Sequence, residues 1–139
     1  MGIENNFSRT IDLVHRAMDA SLIRREVIAN NLANATVPGF KRTDITFESE
    51  LKRALDSEKQ RPRLELTQTD PRHISNWQKR DYREVQPRRV LDYVSASKNN
   101  GNNVDSEQEI MRAVENQLLY GLLAQGGTFE FSQVNMVLR

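Results

Sequence analysis

Ile28-Ala29-Asn30-Asn31-Leu32-Ala33-Asn34-Ala35-Thr36-Val37-Pro38-Gly39-Phe40-Lys41-Arg42 is the stretch on which the reading of the chain turns. It opens as the end of an amphipathic helix and stops at Pro38-Gly39, where proline removes a backbone donor and glycine permits positive φ. A helix therefore ends here. Asn30, Asn31 and Asn34 are poor helix-interior residues, because short amides compete for backbone hydrogen bonds. One of them serves as a C-cap at most. Three within five residues, with no partner visible nearby, read as amides that bond across to a neighbouring backbone or subunit, the plain alternative being a frayed helix end.

Upstream of this stretch, Phe7, Ile11, Val14, Met18, Ile28 and Leu32 fall at heptad-like spacing, with Ser21 and Arg25 in the two intervening seam places. Leu13, Ala17, Ala20, Leu22, Ile23 and Val27 widen the stripe, so more than one neighbour can be packed. A helix from about Phe7 to Ala33 spans roughly 40 Å. Downstream, Phe47, Leu51, Ala54 and Leu55 predict a short helix over Asp44 to Leu55, with Thr43 or Asp44 as its cap. Alternation then marks two candidate short strands, residues 63–67 and 88–94, and Pro62, Pro71 and Pro87 break the middle into pieces. Asn99-Asn100-Gly101-Asn102-Asn103 reads as a linker. Residues 57–103 are accordingly expected to form an arm that is mostly irregular before assembly.

The last segment starts with two candidate capping boxes, Asp105 with Gln108 and Ser106 with Glu109, whose acids suit the positive end of a helix dipole. Met111, Val114, Leu118, Leu122, Phe129 and Met136 then form a stripe interrupted at Gln125 and Ser132. Gly126-Gly127 costs about 1 kcal/mol per residue against alanine, which predicts a bend or a close backbone contact there. The fold class is thus mainly α: long N- and C-terminal helices paired as an antiparallel, coiled-coil-like hairpin, with a short helix and an irregular middle arm. Such stripes are wider than a single hairpin covers, so ordering is expected to depend on neighbours.

Composition narrows the function. At 139 residues the chain has room for one ordinary domain. Hydrophobic residues are 37% of it and aromatics 6%, against 28% charged, so the core is thin and partners become a structural expectation. Net charge is +1, with the excess of Lys and Arg confined to residues 41–98, and residues 99–139 acidic. The basic middle, with Arg61, Arg63, Arg72, Lys79, Arg80, Arg83, Arg88 and Arg89 beside Trp77, Tyr82 and Tyr93, resembles a single-strand nucleic-acid surface. Interleaved Glu65, Asp70, Asp81, Glu84 and Asp92 interrupt any positive groove, and no nucleic-acid partner is expected. With no cysteine, disulfides and thiol chemistry are excluded. His15 and His73 sit in no catalytic spacing, and no HExxH, Gly-x-Ser-x-Gly, P-loop or dinucleotide motif occurs. No catalytic residue, metal site or cofactor is expected, and neither a cleavable secretory signal nor a membrane span is visible.

Ala29 through Arg42, an alanine- and asparagine-rich helix end running into a Thr-x-Gly-aromatic turn (Thr36, Pro38, Gly39, Phe40), resembles the N-terminal signature of the bacterial flagellar rod, hook and hook-filament junction proteins. Val104-Asp105 followed by acids and a long helix resembles their C-terminal signature. Short length and an apolar terminal helix make the chain similar to the proximal rod. The resemblance implies a single rod-type domain over residues 1–139: helix and turn (1–42), middle arm (43–103) and terminal helix (104–139). It implies a structural subunit that self-associates into a hollow helical tube, with other rod proteins, the export gate and the MS-ring adaptor protein as partners, exported without cleavage. The residues expected to carry assembly are Asn30, Asn31, Leu32, Asn34, Thr36, Pro38, Gly39 and Phe40, with Met111, Leu118, Leu122, Phe129 and Met136. The alternative is a soluble helical adaptor binding a partner helix or nucleic acid through the basic middle.

Overall fold

A computed structural model describes residues 6–59, 69–70, 72, 79–95 and 99–138. The chain is mainly helical and falls into two compact units, one formed by residues 1–45 with 89–139, the other by 46–88.

In the first unit, α1 (Asn6–Ala33) and α3 (Ser106–Val137) pack along each other. Residue numbers on the two helices run in opposite senses: Phe7 meets Phe131 edge-to-face at 5.7 Å, Val14 lies opposite Gly127, Asn116 donates to the Ser21 carbonyl, and Asn31 reaches Glu109. The pairing is an antiparallel hairpin, and its α1 contacts step by seven residues through Phe7, Val14 and Ser21, the spacing of a coiled-coil seam. Asp105 caps α3 by accepting from the N–H groups of Glu107 and Gln108. The second expected box does not form, because the Glu109 side chain is fully buried and turned to other partners.

The helix expected over Asp44 to Leu55 is displaced. Thr43–Thr46 is a strand, β1, and pairs with β2 (Arg88–Leu91) in a two-stranded sheet; α2 starts only at Glu48 and runs to Lys59. The cause is local. Thr43 is engaged by the Asn31 side chain through both its N–H and its carbonyl, as a strand neighbour would do, so it is unavailable to a helix start. β2 also realises part of the strand expected at 88–94, whereas the strand expected at 63–67 lies outside the described residues.

The second unit holds α2 and a short 3-10 turn, Tyr82–Glu84, that packs on it. Phe47, Ala54 and Tyr82 are its buried apolar residues. Arg80 N–H donates to the Ser57 hydroxyl at 3.0 Å, and Asp81 caps the turn through the Arg83 N–H.

At Gly126-Gly127, where a bend or a close backbone contact is expected, hydrogen-bonded helix continues. A Cβ at Gly126 would meet nothing within 4 Å, and one at Gly127 would make an ordinary 3.8 Å contact with Val14. Nothing in the hairpin therefore requires glycine at either place. Gly126→Ala is expected to stabilise the chain by about 1 kcal/mol, the helix propensity difference, read as a raised midpoint in thermal unfolding followed by circular dichroism.

Candidate assembly site

The asparagine-rich helix end is clamped from within the chain. Asn31 is 1% exposed; its amide nitrogen donates to the Thr43 carbonyl at 2.7 Å and to Glu109 Oε2 at 3.1 Å, and its oxygen accepts from the Thr43 N–H at 3.0 Å. For Asn31 the neighbouring backbone is the Thr43 peptide of its own chain. Its partners stand 12 and 78 residues away, too far for any local pattern to show.

Glu109, 0% exposed, is the centre of the cluster. Arg42 Nε donates to its Oε1 at 2.7 Å, and Arg42 Nη2 reaches Asp44 at 2.8 Å. Arg112 closes the ring, 3.3 Å from Asp44 and 3.6 Å from Glu109. Burial by itself lowers the Arg42 pKa, but the Glu109 hydrogen bond and the Asp44 charge outweigh it, so the guanidinium is held above its ordinary value.

The run read as a linker, residues 99–103, is a second clamp. Asn102 is fully buried, and its amide nitrogen lies within hydrogen-bond distance of the carbonyls of Asn34, Ala35 and Val37, at the end of the helix where carbonyls run out of intrahelical partners; the Asn34 and Val37 carbonyls also accept from the Val37 and Phe40 N–H groups of the turn. Asn103 accepts from the Arg42 N–H at 2.6 Å and donates to the Asp92 carbonyl at 2.7 Å. The Asp92 carboxylate, bonded first to the Ser95 hydroxyl and then to the Ser95 N–H, is held below its usual pKa and fixes the turn after β2. Gly39 and Gly101 both have positive φ, and the Gly39 N–H donates to the Asn100 carbonyl. The two turns approach closely enough that a Cβ on Gly101 would lie 3.8 Å from Gly39 Cα.

The assembly candidates thus divide by exposure. Asn31 points inward, Asn34 and Phe40 are half-buried, and Asn30, Leu32, Thr36, Pro38 and Gly39 are exposed. On α3 every candidate is exposed: Met111, Leu118, Leu122, Phe129 and Met136 range from 61 to 77%. At 100° per residue they lie between about 200° and 240° round the helix from Asn116, which faces α1, so the stripe points away from the hairpin. Among the described residues, the buried side chains of α3 are Glu109 and Asn116, both polar. Glu109, Asn102 and Asn103 were missed as structural anchors, because a glutamate in a first helical turn and a run of asparagines carry strong local readings of their own.

Among the described residues there is no cluster of histidine and acids that would hold a metal ion, and no helix is long and apolar enough to cross a membrane. Tyr82, one of the rings of the nucleic-acid alternative, is buried. Arg61, Arg63 and Trp77 lie outside the described residues.

A long antiparallel hairpin with a clamped asparagine turn at one end and an apolar outer stripe is the framework of a helical structural subunit. The profile of the family described as flagella basal body rod protein matches residues 14–41, the second half of α1 and the turn included. Full-length similarity goes further: the chain is 40% identical to the flagellar basal body rod protein FlgB of Borreliella burgdorferi over 97% of its own length and 99% of the relative's. Its identity to the FlgB protein of Borrelia hermsii is 38% over the same shares, and to that of Bacillus subtilis 31% over 95% of each chain. The chain belongs to the FlgB family of flagellar basal body rod proteins.

Two variants separate the clamps from the surface. Glu109→Ala leaves the buried Arg42 without its closest acid and is expected to cost about 3–5 kcal/mol, against no more than about 1 kcal/mol for Arg53→Ala in the exposed Glu50 pair, compared by urea titration. Asn102→Ala is expected to cost about 1–3 kcal/mol, whereas Asn30→Ala, on the exposed side, stays within about 0.5 kcal/mol.

Proposed function

We propose that the chain is a self-assembling structural subunit of the proximal part of the flagellar rod, packing by its outer helical faces into a hollow tube. In this reading the rod seats on the export gate and the MS-ring adaptor protein and is continued by other rod proteins. Torque passes through many helix contacts between subunits, and the lumen passes later exported subunits. The chain itself reaches the rod by export without cleavage of a signal.

The observation that carries this reading is the inverted α3. Its buried positions are polar, and its large apolar side chains face outward along most of the helix. Burying one leucine or phenylalanine is worth about 1.5–3 kcal/mol, so a stripe of this length left in water favours association strongly. The exposed part of the turn, with Asn30, Leu32, Thr36 and Pro38, offers a second contact held rigid by the clamps beneath it.

Leu118→Asp tests the reading. Leu118 is 64% exposed, so the substitution should leave helicity and unfolding midpoint close to those of the parent chain. Motility and intact basal bodies, scored in soft agar and by electron microscopy, should be lost. Swimming cells with complete rods would overturn it.

A further inference from the structure

We infer that a second copy of this chain seats the Met111–Leu122 portion of its outer α3 stripe in the groove between α1 and α3, with its Glu115 against Arg25. The inference rests on the self-assembly proposed above and names the two faces that meet.

The groove has a volume of about 490 Å³. Leu22, Ala29 and Leu32 wall it on the α1 side, Ala113 and Tyr120 on the α3 side, and Arg25 stands at its rim. Leu22 and Leu32 are half exposed there, and the alanines leave the recess that a leucine side chain fills in knobs-into-holes packing. Its floor is imperfect in the hairpin alone: Ser21 Oγ and Asn116 Oδ1 are buried without a hydrogen-bond partner.

Length and charge both select the occupant. Along α1 the groove runs from Ser21 to Leu32, roughly 16 Å at the helical rise, and Met111 to Leu122 spans the same length. Arg25 is exposed and makes no ion pair among the described residues. Glu115, three residues before Leu118 and so beside it on the helix surface, is likewise exposed and unpaired. One face thus offers a free cation beside an apolar recess, the other a free anion beside an apolar knob.

The faces differ, so the contact is head-to-tail. Each copy that fills a neighbour's groove keeps its own groove open, which propagates the array instead of closing a dimer.

Because the sequence has no cysteine, single-cysteine variants report the contact directly. Ala29→Cys and Leu118→Cys chains, mixed and oxidised as purified protein and in isolated basal bodies, should give a disulfide-linked pair several-fold above either variant alone. Arg25→Glu and Glu115→Arg should each weaken self-association about tenfold, and mixing the two variants should restore the reversed pair. Stronger linking of Leu118→Cys to itself would mean a stripe-on-stripe dimer and overturn the inference. No mixed product in basal bodies that Leu118→Asp nevertheless abolishes would also overturn it, because the groove then receives a different rod subunit while the rod reading stands.

Discussion

A carboxylate with no exposure to water sets the terms for the rest of the first unit. Glu109 can sit between α1 and α3 only as long as Arg42 and Asn31 meet both its oxygens. Such a buried pair contributes little net stability over an apolar replacement, since desolvation offsets most of the attraction, but it penalises every arrangement that separates the partners. Sliding α3 by one turn along α1 would carry Glu109 away from both. The cluster therefore fixes the axial register of the hairpin, and with it the direction in which the outer stripe points.

The same cluster explains why the start of β1 is where it is. Arg42 must reach Glu109, and Asn31 must hold Thr43 by both backbone groups, so the chain leaving the Pro38-Gly39 turn is pulled back along the helix pair in extended form. Asn102 and Asn103 lock the turn from the other side. Polar side chains do here what a larger apolar core would do elsewhere, which suits a chain with so few aromatic residues.

The long helices were legible because helical periodicity is a property of neighbours in sequence, and Phe7 to Leu32 keep it despite Ser21 and Arg25 in the seam. The end of α1 was legible in Pro38-Gly39 for the same reason. The clamps were not. Asn31, Arg42, Asn102 and Glu109 each have a satisfactory local reading as fray, surface charge, linker and cap, and only their meeting across 60 or more residues reverses it. The direction of the α3 stripe was hidden likewise: periodicity shows that Met111, Leu118 and Leu122 share a face, but the polar pair Glu109 and Asn116 decides that another face turns inward. At Gly126-Gly127 propensity predicts a bend or a close backbone contact, and the hydrogen-bonded helix runs on through the pair.

The separation of the clamp partners has a consequence for how the chain comes into being. The Arg42–Glu109 and Asn31–Glu109 contacts close loops of 67 and 78 residues. Neither contact to Glu109 can form until the polypeptide has been made past that residue, so α1 emerges from the ribosome with its polar anchor unmatched and its apolar faces uncovered. The hairpin of the first unit must wait on its final helix. A hairpin organised in this way closes late, and α1 stays open, accessible to whatever carries it, for most of the chain's synthesis.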